Sequence, residues 1–134
     1  MTDTATALSS LGVTEWVLRG EPTSETEFNA MFRKVTGSDA SGTAIESDDP
    51  ADWGVTWSQV SAKKTELVNA EPMRLLRVER DKRLADTDWW AMSDRTMTTD
   101  QTTYRQALRD LPASATPSLD SNGNLTGVTW PTKP

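Results

Sequence analysis

Between Arg74 and Pro131 the chain runs RLLRVERDKRLADTDWWAMSDRTM, then YRQALRDLPA, then Trp130-Pro131, and this order leaves few folds open. Met73, Leu75, Leu76, Val78, Leu84 and Ala85 alternate with Arg74, Arg77, Arg80, Lys82 and Arg83, which predicts a helix over 71–85. Pro72 suits its first turn. Asp86-Thr87-Asp88 breaks the pattern, and a further helix begins near 98–100, where Thr and Asp favour an N-terminus. Tyr104, Leu108 and Leu111 supply its buried face before Pro112 stops it. Asn122-Gly123 signals a two-residue hairpin, followed by a short strand over 125–130.

Upstream the signals are mixed. Residues 1–10 are rich in Thr, Ser and Ala and are expected to be mobile unless something binds them. Alternation over 13–19 predicts a strand with Thr14, Trp16 and Leu18 on one face. Ser24 and Glu27 form a capping-box pattern, with Phe28, Met31, Phe32 and Val35 at helical spacing behind it, so a helix is predicted over 24–35 with Gly37 as its C-cap. Residues 37–54 read as a long acidic loop. A helix over 58–69 follows, its stripe made by Trp57, Val60, Lys64 and Leu67. The expected class is mainly α with minor β. An N-terminal strand–helix unit with its acidic loop (1–54) precedes a helical, hairpin-like region with an extended tail (55–134).

Composition removes whole classes of chemistry. The 134 residues contain no cysteine and no histidine, so disulfides, thiolate sites, histidine-ligated zinc and serine–histidine triads are excluded. The net charge is −6, and residues 1–70 carry all of it, with 5 basic and 11 acidic side chains. That balance argues against nucleic acid as a partner. Neither a signal peptide nor a membrane span is legible, so no membrane partner is expected.

The remaining constellations have plain explanations. Asp86, Asp88 and Asp94 are expected to serve a helix end and ion pairs with Arg80, Arg83 and Arg95 rather than a divalent cation. Asp48, Asp49 and Asp52 do not match a calcium-loop spacing. Trp89 and Trp90 diverge by about 100° on a helix, so one faces inward; the expectation is Trp89 inside and Trp90 nearer the surface. Arg105 and Arg109 line one side of their helix, either pairing with Asp81 or Asp88 or recognising an acidic partner. No general acid–base arrangement can be assembled, so no catalytic residue, metal or cofactor is expected.

In Arg80, Leu84, Thr87, Asp88 and Trp89, then Tyr104 to Pro112, then Trp130 and Pro131, the chain resembles the bacteriophage tail fibre assembly and tail assembly chaperone family. The resemblance covers about 55–134, including TWSQVSAKKTEL upstream. It implies a non-enzymatic phage tail protein that assists fibre assembly by protein–protein binding. Its partner would be a tail fibre or other tail protein, with self-association an option. Fibre proteins are long β-rich trimers whose unpaired edges aggregate during folding, and an acidic helper would hold them soluble. The binding face implied is Trp89, Trp90, Tyr104, Arg105 and Arg109, joined by Trp130, with Leu76, Leu84, Leu108 and Leu111 holding the fold. The place of action would be the host cytoplasm during assembly. A structural component retained in the virion tail is the competing reading, and a divalent-metal enzyme a distant third.

Overall fold

In the computed structural model, which describes residues 2–134, packing divides the chain into two units, Met1–Asn69 and Ala70–Pro134. The boundary falls inside a helix, and residues 55–69, expected to belong with the C-terminal region, contribute Val55 and Val60 to the N-terminal core.

The N-terminal unit starts with helix α1, Thr4–Ser10, where a mobile segment was expected. Asp3 caps it by accepting from the Thr6 amide at 2.8 Å. Thr4, Ala7 and Leu8 are buried. Glu21 clasps this helix: its carboxylate accepts from the Thr4 amide at 3.0 Å, the Thr4 hydroxyl at 2.6 Å, and the Lys64 ammonium. Strand β1 is only Trp16–Leu18, because Glu15 takes a left-handed backbone (φ 55°) and ends the extended run. Val13 packs against the core alongside Trp16 and Leu18, not on an opposite face.

Helix α2, Glu25–Met31, is shorter than predicted. Ser24 caps it as expected, but Glu27 reaches past the cap residue to the Thr23 amide and hydroxyl, at 2.6 and 2.7 Å. The chain then turns into strand β2, Phe32–Ser38, so Phe32, Val35 and Gly37 are strand residues and Gly37 is not a C-cap. Phe32 keeps its place beside Phe28 all the same, with ring centroids 4.9 Å apart.

The expected acidic loop is largely ordered. Strand β3, Ala44–Ser47, pairs antiparallel with β2, which also pairs with β1, giving a three-stranded sheet in the order β1-β2-β3. Asp39 builds the intervening turn by accepting from the amides of Ser41 and Thr43, at 2.9 and 3.0 Å. A 3-10 turn, Pro50–Asp52, capped by Asp49, then delivers Trp53 to the core. Trp53 meets Phe28 and Phe32 edge-on at 5.7 and 5.0 Å.

Helix α3, Trp57–Ala85, is continuous where two helices were predicted. Pro72 lies inside it and removes the amide that would bond the Val68 carbonyl. In the C-terminal unit, helix α4, Thr99–Ser114, opens on a full capping box between Thr98 and Gln101. It runs two residues past Pro112, its expected stop. The hairpin of β4, Ser118–Leu119, and β5, Leu125–Thr126, has a longer loop than the two residues expected, since Leu119 pairs with Leu125. Asp120 accepts from the amides of Asn122 and Asn124 at 2.8 and 2.9 Å, and Gly123 supplies the left-handed position (φ 80°). No strand continues to Trp130. No helix among the described residues is long and apolar enough to cross a membrane.

Candidate interaction surface

The end of α3 organises the conspicuous side chains of the C-terminal unit. Thr87 is fully buried and stops the helix, its hydroxyl donating to the Leu84 carbonyl at 3.2 Å. A 3-10 turn, Asp88–Ala91, follows, with the Trp90 amide bonded to the Thr87 carbonyl at 3.0 Å. From α4, Arg105 fastens this turn. Its guanidinium donates to the Leu84 carbonyl at 3.0 Å, the Thr87 hydroxyl at 2.7 Å and the Asp88 carboxylate at 2.9 Å. Arg105 is only 7% exposed, and its Nε has no partner among the described residues. Of the two pairings considered for this arginine, the one with Asp88 is formed, whereas Asp81 pairs with Arg80 at 2.7 Å.

The tryptophan pair is arranged opposite to expectation. Trp90 is 4% exposed and forms a core with Tyr104 and Leu108, against which Leu84, Met97 and Trp130 pack. Trp89 is 49% exposed. The cause is the tighter turn: with about three residues per turn rather than 3.6, position 90 comes under Thr87 and faces Tyr104, 6.0 Å away between ring centroids. Trp89 is held from the other side, its indole N–H donating to the Asp86 carbonyl at 3.1 Å and the Arg95 guanidinium lying 4.3 Å from its ring centroid. Three residues further on, Met92 is 57% exposed.

Of the six residues expected on one face, then, Trp90, Tyr104 and Arg105 are interior. Trp130 is half-buried, with the Arg83 guanidinium 4.2 Å from its ring centroid. Trp89 and Arg109 are exposed, and Arg109 has no ion-pair partner among the described residues. Met92 and Arg95 were missed. Neither lies on a helical stripe, and the only sequence signal for them is nearness to an aromatic pair at a helix end. The fold-forming leucines are better placed, with Leu76 and Leu108 fully buried. Asp86 and Asp94 make no ion pair with Arg80, Arg83 or Arg95; Arg83 instead bonds Glu79 at 3.0 Å. No group of three or more acidic side chains converges as a cation site among the described residues.

Residues 73–134 match the family model described as phage tail assembly chaperone protein. This segment, somewhat under half of the chain, contains the α3 end, the Trp89–Trp90 turn, α4 and the C-terminal hairpin. The match supports a role in phage tail assembly. No curated protein and no solved structure matches the chain.

Proposed function

We propose that the chain assists phage tail assembly by binding a tail fibre or another tail protein in the host cytoplasm, with no chemical step of its own. The observation that carries this reading is the exposed turn: Trp89, Met92 and Arg95 lie outward while Trp90 and Arg105 fasten the same turn from inside. Tryptophan and arginine dominate binding hot spots. An anchor on a backbone already fixed loses less entropy on binding than one on a loose loop. Arg109 and the exposed edge of Trp130 supply further contacts in this reading, and the net charge of −6 keeps the complex soluble.

A second reading, retention as a structural tail component, draws on the N-terminal unit. That unit has its own aromatic core and a sheet with two edges, features suited to a docking domain, and it lies outside the family segment. Quantitative mass spectrometry of purified phage particles separates the two. Assembly help followed by departure predicts no copies per particle together with a requirement during infection. A fixed, symmetry-compatible copy number supports retention instead.

A further inference from the structure

Strand β3 ends the three-stranded sheet, so one side of its backbone has no strand beside it. Which groups face that side follows from the ladder with β2. The Asp39 amide donates to the Thr43 carbonyl at 2.8 Å, and bonded pairs alternate along an antiparallel ladder. Gly37 and Ile45 are therefore the next bonded pair, and Ala44 turns its amide and carbonyl outward. Thr36 is the extra residue of a bulge, and beyond it the Val35 amide bonds the Glu15 carbonyl at 2.7 Å, on the β1 side. Val35 thus leaves its register partner Glu46 unbonded, and the Glu46 amide and carbonyl also face outward. Between these two residues, Ile45 is 47% exposed. Natural edge strands are usually blunted by charge, proline or a bulge in the edge itself. Here the bulge lies in β2, and the one charge on β3, Glu46, is held by the Arg19 guanidinium at 2.8 and 2.9 Å. The opposite edge offers less, since β1 has three residues and stops at the left-handed Glu15.

We propose that β3 pairs antiparallel with β3 of a second copy of the chain, about a two-fold axis at Ile45, joining two three-stranded sheets into one. Ala44 then lies opposite the second copy's Glu46, and the outward groups of the two residues exchange both of their bonds. Ile45 meets its own counterpart as the close, non-bonded pair, with about 4.5 Å between Cα atoms. Charge favours this register. Glu46 faces Ala44, Ser47 faces Thr43 and Asp48 comes beside Gly42, so no two carboxylates are opposed. An axis at Glu46 would oppose the two Glu46 carboxylates, and one at Ala44 would set Glu46 against the Gly42 turn, where the backbone is left-handed (φ 84°). The inference rests on the sheet alone and stands whether or not the phage role does.

The test is sedimentation equilibrium of the full chain over a concentration series reaching about 1 mM. Salt at about 0.15 M screens the repulsion between two net charges of −6 beyond about 8 Å. The mass should rise from one chain toward two. Ile45→Lys sets two cations at the axis, and Ala44→Pro removes an outward amide without touching the ladder to β2. Each should weaken the dimer roughly tenfold or more. The chain has no cysteine, so a full-length Ile45→Cys variant carries one thiol per copy. Oxidised with diamide, it should cross-link about tenfold faster than Thr43→Cys, whose thiols would lie about 14 Å apart on the paired strands. Should Ile45→Lys or Ala44→Pro fail to fold, the cross-linking rates decide alone. A dimer left unchanged by either folded variant, or equal cross-linking of Ile45→Cys and Thr43→Cys, would overturn the proposal. A chain that stays monomeric throughout would also overturn it, and would leave the edge to a strand of another protein.

Discussion

At the scale of single residues, the two adjacent tryptophans carry opposite duties. Trp90 fills the space between Tyr104 and Leu108, so Trp90→Ala should cost about 3–5 kcal/mol in denaturant unfolding, the usual range for an emptied aromatic site. Trp89→Ala should change stability by no more than about 0.5–1 kcal/mol, because the ring is half in water and loses one exposed cation contact. Arg105→Ala should cost about 1–3 kcal/mol, since the buried Thr87 hydroxyl and the Leu84 carbonyl lose their donor. That one tryptophan of the pair turns inward follows from the angle between neighbours on a helix. Which one does so depends on a 3-10 turn, and DTDWWA carries no strong signal that the turn after the helix tightens. Arg105 was equally ambiguous: its spacing from Arg109 fits a solvent face, and only the helix end at Thr87 turns it into an internal fastener.

At the scale of elements, capping chemistry was legible and chain breaks were not. Ser24 and Thr98 both start helices, as their side-chain chemistry predicts. Phe32 and Val35 satisfy helical spacing, but they are also good strand residues, and pairing with two neighbouring strands decides for β2. Residues 37–54 look like solvent loop because their side chains are polar, yet those side chains build turns that present Trp53 to the core. Pro72 predicted a helix boundary, but α3 runs through it unbroken. Pro72→Ala restores an amide to the Val68 carbonyl and should stabilise α3 by up to about 3 kcal/mol, visible as slowed hydrogen exchange around position 72. The clasp on α1 makes a pH prediction. Burial alone would raise the Glu21 carboxyl, but the Lys64 ammonium and the Thr4 hydroxyl and amide outweigh it and hold the group below its ordinary value. Stabilisation from the clasp is therefore present above the ordinary carboxylate range and is lost as the pH falls through the depressed folded value. Thermal melts between pH 7 and pH 3 should show this acid loss, and Glu21→Gln should flatten it while lowering stability at neutral pH.

At the scale of the whole molecule, the charge asymmetry and the two units describe different things. All of the net negative charge lies in residues 1–70, whereas the family segment begins at residue 73 and is nearly neutral. The recognisable part of the chain is thus the part with balanced ion pairs and cation–aromatic contacts, and the acidic part carries an independent aromatic core. The mainly helical class with minor sheet was legible from periodicity, and the likeness of residues 73–134 to the phage tail assembly chaperone family from the Thr-Asp-Trp turn and the α4 residues. The proposed interaction surface was legible only in outline, because burial decides which aromatic and basic side chains remain exposed. The most direct measurement is quantitative co-purification from infected cells, comparing the tagged full-length chain with its Trp89→Ala variant and identifying captured phage tail proteins by mass spectrometry. A tail protein enriched by the unmodified chain and reduced roughly tenfold or more by a Trp89→Ala variant of unchanged melting temperature is the predicted result, the loss typical of a binding hot spot. Undiminished recovery with Trp89→Ala, or no tail protein captured by either form, would contradict the account.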